Sequence, residues 1–169
     1  ADIFISLTHF KGHEATGFGG ALKNMSIGVA SSSGKAYIHT GGKSKDTSTL
    51  WQNICSQNTF LESMADADKS VVEYMKGNIV YINVINNLSV DCDCVSSPEK
   101  ICMSDIGIVS SLDPVAIDKA CTDLIYNSKD PGSSHMIERI ERQNGLHILE
   151  AAESLGIGSR SYELIEIDN

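Results

Sequence analysis

Asn78-Ile-Val-Tyr-Ile-Asn-Val-Ile85 is the most strand-like run in the chain, and Ser89-Val-Asp-Cys-Asp-Cys94 follows almost directly. A bounded apolar run of this length reads as a core strand. Its end is unusual. Two thiols stand one residue apart, and each is preceded by an acid: Asp91 before Cys92, and Asp93 before Cys94. Thiolates and carboxylates gathered where a buried strand meets a loop are what a metal ion needs.

Working outward, the rest of the chain reads as strands separated by helices. Ile3 to Leu7 is a short apolar run that predicts an inner strand. A Gly- and His-rich loop follows, from Thr8 to Gly20, then a helix over residues 21–30 that Gly28 weakens. Residues 31–49 are rich in Ser, Gly, Thr and Lys and read as a long loop. Phe60, Leu61, Met64, Val71, Val72 and Met75 recur at helical spacing, with Gly77 as a stop. Residues 95–103 form a loop with Pro98, and Asp105 to Ser110 a further strand. Asp113-Pro114 then starts a helix to about Tyr126, with Asp as cap and Pro at the first helical position. Two more helices follow, at 134–143 and 146–155, separated at Asn144-Gly145. Tyr162-Glu-Leu-Ile-Glu-Ile167 alternates and reads as a final edge strand. The pattern predicts a single α/β domain over residues 1–169, a mostly parallel sheet with helices on both faces.

Composition narrows the function. The chain has 169 residues, 41% hydrophobic and 21% charged, the balance of a globular domain. A net charge of -9 disfavours nucleic acid and anionic membrane as partners, which are bound by clustered Lys and Arg. No apolar stretch is long enough to span a bilayer and no signal peptide opens the chain, which points to the cytoplasm. The five cysteines are not spaced as a disulfide framework, so reduced thiols are expected. The chain starts at Ala1 and enters a strand at once, as expected for the carboxy-terminal part of a longer protein. The expected partner is a missing amino-terminal segment or a second copy of the chain, because an exposed apolar edge seeks another strand.

Three groups of residues carry chemistry. The first is Cys92 and Cys94 with Asp91 and Asp93, and Cys102 lies close enough in sequence to be a third thiolate. Metal or cluster ligation, buried structural thiols and redox exchange are the three readings of that pair. The second is His9 and His13, flanking the first loop. Imidazole is the commonest metal ligand, and loops at the carboxyl ends of neighbouring parallel strands are where α/β sheets bind ligands. If the two strands are such neighbours, His9 and His13 meet the cysteines at one edge. The third is Gly17-Phe-Gly-Gly20 opening a helix, where Gly17, Gly19, Gly20 and Lys11 would take a small anion. Close packing of glycines explains the same pattern. Cys121 lies among apolar helix residues and reads as core. His39 stands as a third imidazole that a loop would fold over the site.

Taken together, His9 to Asn24, Ile82 to Cys94, Asp105 to Cys121, Asn144 to Glu153 and Gly158 to Leu164 resemble domain-of-unknown-function family 362. The resemblance covers nearly the whole chain. Members are often labelled iron–sulfur-centre proteins, and many carry an inserted ferredoxin-like module with Cys-X2-Cys-X2-Cys spacing. Where that module would sit, around residues 43–60, this chain has only Cys55. The resemblance also implies a further amino-terminal stretch before the first strand. The leading expectation is a transition metal or iron–sulfur cluster held by ligands from His9, His13, Asp91, Cys92, Asp93 and Cys94. The alternatives are an anion-binding enzyme domain with a His acid–base and no metal, and an assembly domain that needs a missing segment.

Overall fold

The computed structural model describes residues 2–101 and 103–167. Strand β1 (Phe4–His9) leads into a hairpin of β2 (Lys11–His13) and β3 (Gly17–Gly19). Helix α1 (Ala21–Lys23) continues as a π turn over Asn24–Gly28, and α2 (Ser32–His39) and α3 (Gln57–Met75) follow. Strands β4 (Ile79–Ile85) and β5 (Gly107–Ser111) come next, then helices α4 (Pro114–Tyr126), α5 (Ser133–Arg142) and α6 (His147–Ser154).

The main sheet has the order β1-β4-β5. Strand β1 is parallel to β4, with Phe4 opposite Ile79 and His9 opposite Val84. Strand β5 is antiparallel to β4, with Gly107 opposite Ile85. The sheet is therefore mixed, where the sequence predicted a mostly parallel one. A parallel return needs a long crossover, normally helical. The segment 10–78 supplies one between β1 and β4. The segment 86–106 contains no helix among its described residues, and it brings the chain back antiparallel.

Alternation along β4 separates two faces. Ile79, Tyr81, Asn83 and Ile85 are buried beneath α1 and α4, while Val80, Ile82 and Val84 point the other way. On that second face the register sets Ile5 beside Val80 and Leu7 beside Ile82, and both β1 residues are more than 60% exposed. Ile108 continues the open surface at 70% exposure. The expectations of helices on both faces and of an inner first strand are thus corrected. Among the described residues helices cover one face, and β1 is an edge strand.

Local signals explain most of the helices. In α4, Asp113 Oδ1 accepts from Val115 N at 2.8 Å and Ala116 N at 2.9 Å, with Pro114 at the first position. Helix α3 buries Phe60, Leu61, Met64 and Met75, and ends where Lys76 enters the left-handed region at φ 54°. Two expectations fail. Part of the long loop 31–49 is helix α2, started by Ser31 Oγ accepting from Gly34 N at 3.2 Å and held by buried Ala36 and Ile38. Its Ser and Gly content masked that packing. Residues 162–167 form no strand, because no neighbour among the described residues supplies a backbone ladder, although Tyr162 donates its hydroxyl proton to Asp123 at 2.8 Å. No described helix is long and apolar enough to cross a membrane.

Candidate metal centre

Because β1 and β4 are parallel neighbours, the loops at their carboxyl ends lie side by side. Gly12 N donates to Ser89 O at 2.8 Å, so β2 lies directly against the segment that precedes the cysteines. A side chain at Gly12 would collide with the Val90 backbone, and only glycine permits this approach. Cys92 O then accepts from Val95 N at 3.0 Å, which closes a turn. That turn brings the two thiols together, with Sγ atoms 2.7 Å apart. Cys92 is buried and Cys94 is exposed.

His13, Cys92 and Cys94 each point one donor atom into this space, and the three atoms lie within 4.8 Å of one another. His13 Nδ1 accepts from Ala15 N at 3.1 Å and Thr16 N at 3.3 Å. Burial, with the charges of Lys23, Lys11, His39 and Arg139 added, pushes its pKa down to about 4. The ring is neutral at pH 7, as a ligand must be. Contact with Cys92 and burial push the Cys94 thiol up.

The remaining expected ligands are engaged elsewhere. Asp93 lies 3.0 Å from His9 Nδ1 and 3.1 Å from Lys11 Nζ. Burial works against its charge, but His9 and Lys11 prevail and hold its carboxyl below the ordinary range. His9 Nε2 lies 2.7 Å from Asn86 O, so both ring nitrogens are engaged outside the thiol group. Asp91 accepts from Glu99 N at 2.9 Å and Arg139 Nη1 at 3.2 Å, which together hold its carboxyl low. The acids of the Asp-Cys-Asp-Cys run thus clamp the turn from both sides and leave the thiols facing His13. His39 stacks on Phe60, with ring centroids 4.5 Å apart. Cys121 is fully buried beside Asn83 Nδ2 at 3.4 Å. Cys102 lies outside the described residues.

The Gly-rich helix start is also occupied. Asp118 Oδ1 accepts from Ala21 N at 2.7 Å, and Oδ2 accepts from Leu22 N at 3.0 Å. Asn83 Nδ2 donates to the same carboxylate at 2.8 Å. A side chain at Gly20 would strike it. The chain's own anion stands where an external one was expected, while Gly17 and Gly19 pair with His13 and Lys11 across the hairpin. Neither Asp118 nor Arg139 was read from the sequence as part of this region. Asp118 lies 97 residues from Ala21, and Arg139 lies 48 from Asp91, so no local spacing marks them.

Fold and site together define a small α/β protein with a His/Cys/Cys donor group at the carboxyl edge of its sheet. The family model described as domain of unknown function (DUF362) matches residues 1–123, and the chain belongs to that family. No curated protein and no solved structure matches the chain.

Proposed function

We propose that this protein binds a soft transition-metal ion through His13, Cys92 and Cys94. The observation that carries the reading is the convergence of the three donor atoms within 4.8 Å, on segments contributed by two different strand ends. Two thiolates and an imidazole suit zinc or a similar ion, with a fourth position left for a small ligand. Two sulfurs on a tetrahedral ion at about 2.3 Å lie roughly 3.8 Å apart. The thiols at 2.7 Å must therefore part by about 1 Å, within reach of a turn in which Cys94 is exposed.

The surrounding charge supports the reading. Lys11, Lys23 and Arg139 all act on His13, and such cations offset the negative charge of two bound thiolates. Lys23 has no ion-pair partner among the described residues, so a small anion at the fourth position would find a positive neighbour. The iron–sulfur version fits less well. A cubane takes four thiolates, whereas among the described residues Cys55 and Cys121 lie outside this group and Cys92 and Cys94 supply two.

The test is anaerobic purification under reducing conditions, followed by elemental analysis and titration with Co(II). One equivalent of metal and a thiolate-to-cobalt charge-transfer band are expected, both lost in Cys92→Ser. A reduced, folded chain that binds neither zinc nor cobalt would sink the proposal.

A further inference from the structure

We infer that Cys92 and Cys94 form a reversible dithiol–disulfide couple whose closure releases the metal. The consequence for the metal rests on the binding proposed above; the couple itself does not. The two sulfurs are in direct contact. A disulfide needs about 2.05 Å, and two thiolates on a tetrahedral ion need roughly 3.8 Å. The same two sulfurs cannot satisfy both, so oxidation and metal binding exclude each other.

Three features favour closure. The Cys92–Val95 turn places the sulfurs on one side of the backbone. The clamps on Asp91 and Asp93 hold that turn on either side, so little chain entropy remains to be lost. Access is also asymmetric, since Cys94 is exposed and Cys92 buried. This is the arrangement of an attacking thiol and a resolving thiol.

The oxidant is a low-molecular-weight disulfide. The Cys94 thiolate, its proton given to solvent, attacks one sulfur of that disulfide. The disulfide bond breaks, and one small thiolate leaves and takes up a proton. Cys92, deprotonated in turn, attacks the Cys94 sulfur and expels the second small thiol. Two protein thiols lose two electrons and two protons, and one small disulfide becomes two thiols. A small dithiol in excess reverses the sequence.

The test uses the full chain, reduced and metal-free, incubated anaerobically with excess oxidised glutathione and then alkylated. Trypsin releases residues 77–100 as one peptide whose only cysteines are Cys92 and Cys94. That peptide is expected about 2 Da lighter than its reduced form and unalkylated, restored by dithiothreitol, and open in Cys94→Ser. The oxidised chain is expected to bind zinc at least about 100-fold more weakly than the reduced chain. Asp93→Asn, which loosens the clamp, should require a glutathione ratio up to about fivefold more oxidising for half closure, the limit set by an exposed pair. A doubly alkylated peptide, a lasting glutathione adduct or a link to residues 101–119 would each overturn the couple. Equal zinc affinity in both forms would overturn the release. Zinc titration of the reduced chain separates the two ideas. Closure without zinc binding removes the metal reading and leaves the couple, whereas zinc binding without closure removes the couple alone.

Discussion

The Asp93 carboxylate meets His9 Nδ1 at 3.0 Å, a contact between residues 84 apart in sequence. It ties the cysteine turn to the end of β1 and turns the Asp93 side chain away from the thiols. The contact is partly exposed, with 58% of the Asp93 side chain open to solvent. Exposed pairs of this kind contribute up to about 1 kcal/mol. Asp93→Asn is therefore expected to cost less than about 1 kcal/mol of stability in urea titrations. The folded-state pKa of Asp93 is lowered, so the contribution is present above the unfolded value of 3.8 and lost as pH falls through the folded value. Wild type and Asp93→Asn should converge in stability below about pH 4.

The three donors are not equivalent. His13 Nδ1 already accepts from two backbone amides, which leaves the proton on Nε2. Metal at Nε2 demands the other tautomer and disturbs those amides. His13→Ala is expected to weaken cobalt binding by about tenfold, and Cys92→Ser by about 100-fold or more. Competition against a chelator of known affinity measures both. A larger loss for His13→Ala than for Cys92→Ser would show that the imidazole, and not the thiolate pair, dominates the site.

Asp68 is fully buried in α3, and neither of its carboxylate oxygens is within hydrogen-bond geometry of a partner among the described residues. Burial, and then the negative charge of Asp118, push its pKa well above 3.8. A raised carboxyl pKa means stability that is complete below the unfolded value and lost as pH rises above it. Asp68→Asn should match wild type near pH 4 and exceed it at pH 8, by on the order of 1–3 kcal/mol. Chemical denaturation of both proteins across that range gives the comparison. A gap that widens towards acid would contradict the assignment.

Leu7 and Tyr81 stand on opposite faces of the same sheet, Leu7 exposed and Tyr81 buried. Leu7→Thr is expected to change stability by less than about 0.5 kcal/mol, and Tyr81→Ala to cost roughly 3–5 kcal/mol. Thermal and urea unfolding distinguish them. A loss of about 2 kcal/mol or more for Leu7→Thr would mean that another surface covers the open face in solution.

Cys121 lies in the core beneath Asn83, away from the metal donors. Cys121→Ala should lower stability by on the order of 1 kcal/mol and leave cobalt binding unchanged. Loss of the metal spectrum from a variant that still unfolds cooperatively would place this thiol in the site.

Much of the architecture was legible in local signals. The alternation of Ile79, Tyr81 and Ile85 marks the buried face of β4, and Asp113-Pro114 marks the start of α4. The meeting of the first loop with the cysteine loop followed from two strands being parallel neighbours. Such features depend on residues a few positions apart, where propensity and periodicity act.

What the tertiary structure alone decided is the role of each polar group. Asp91 and Asp93 read as ligands beside their cysteines, yet Arg139 and the His9–Lys11 pair draw them off as clamps. Gly20 reads as an opening for an anion, yet Asp118 fills it from α4. Strand β1 reads as inner from its apolar run, yet its place at the edge depends on which strands hydrogen-bond to it. A carboxylate takes whichever donors the fold brings within about 3 Å, since burying it unpaired costs several kcal/mol. Arg139 lies 48 positions from Asp91, His9 84 from Asp93 and Ala21 97 from Asp118, beyond the reach of any local pattern.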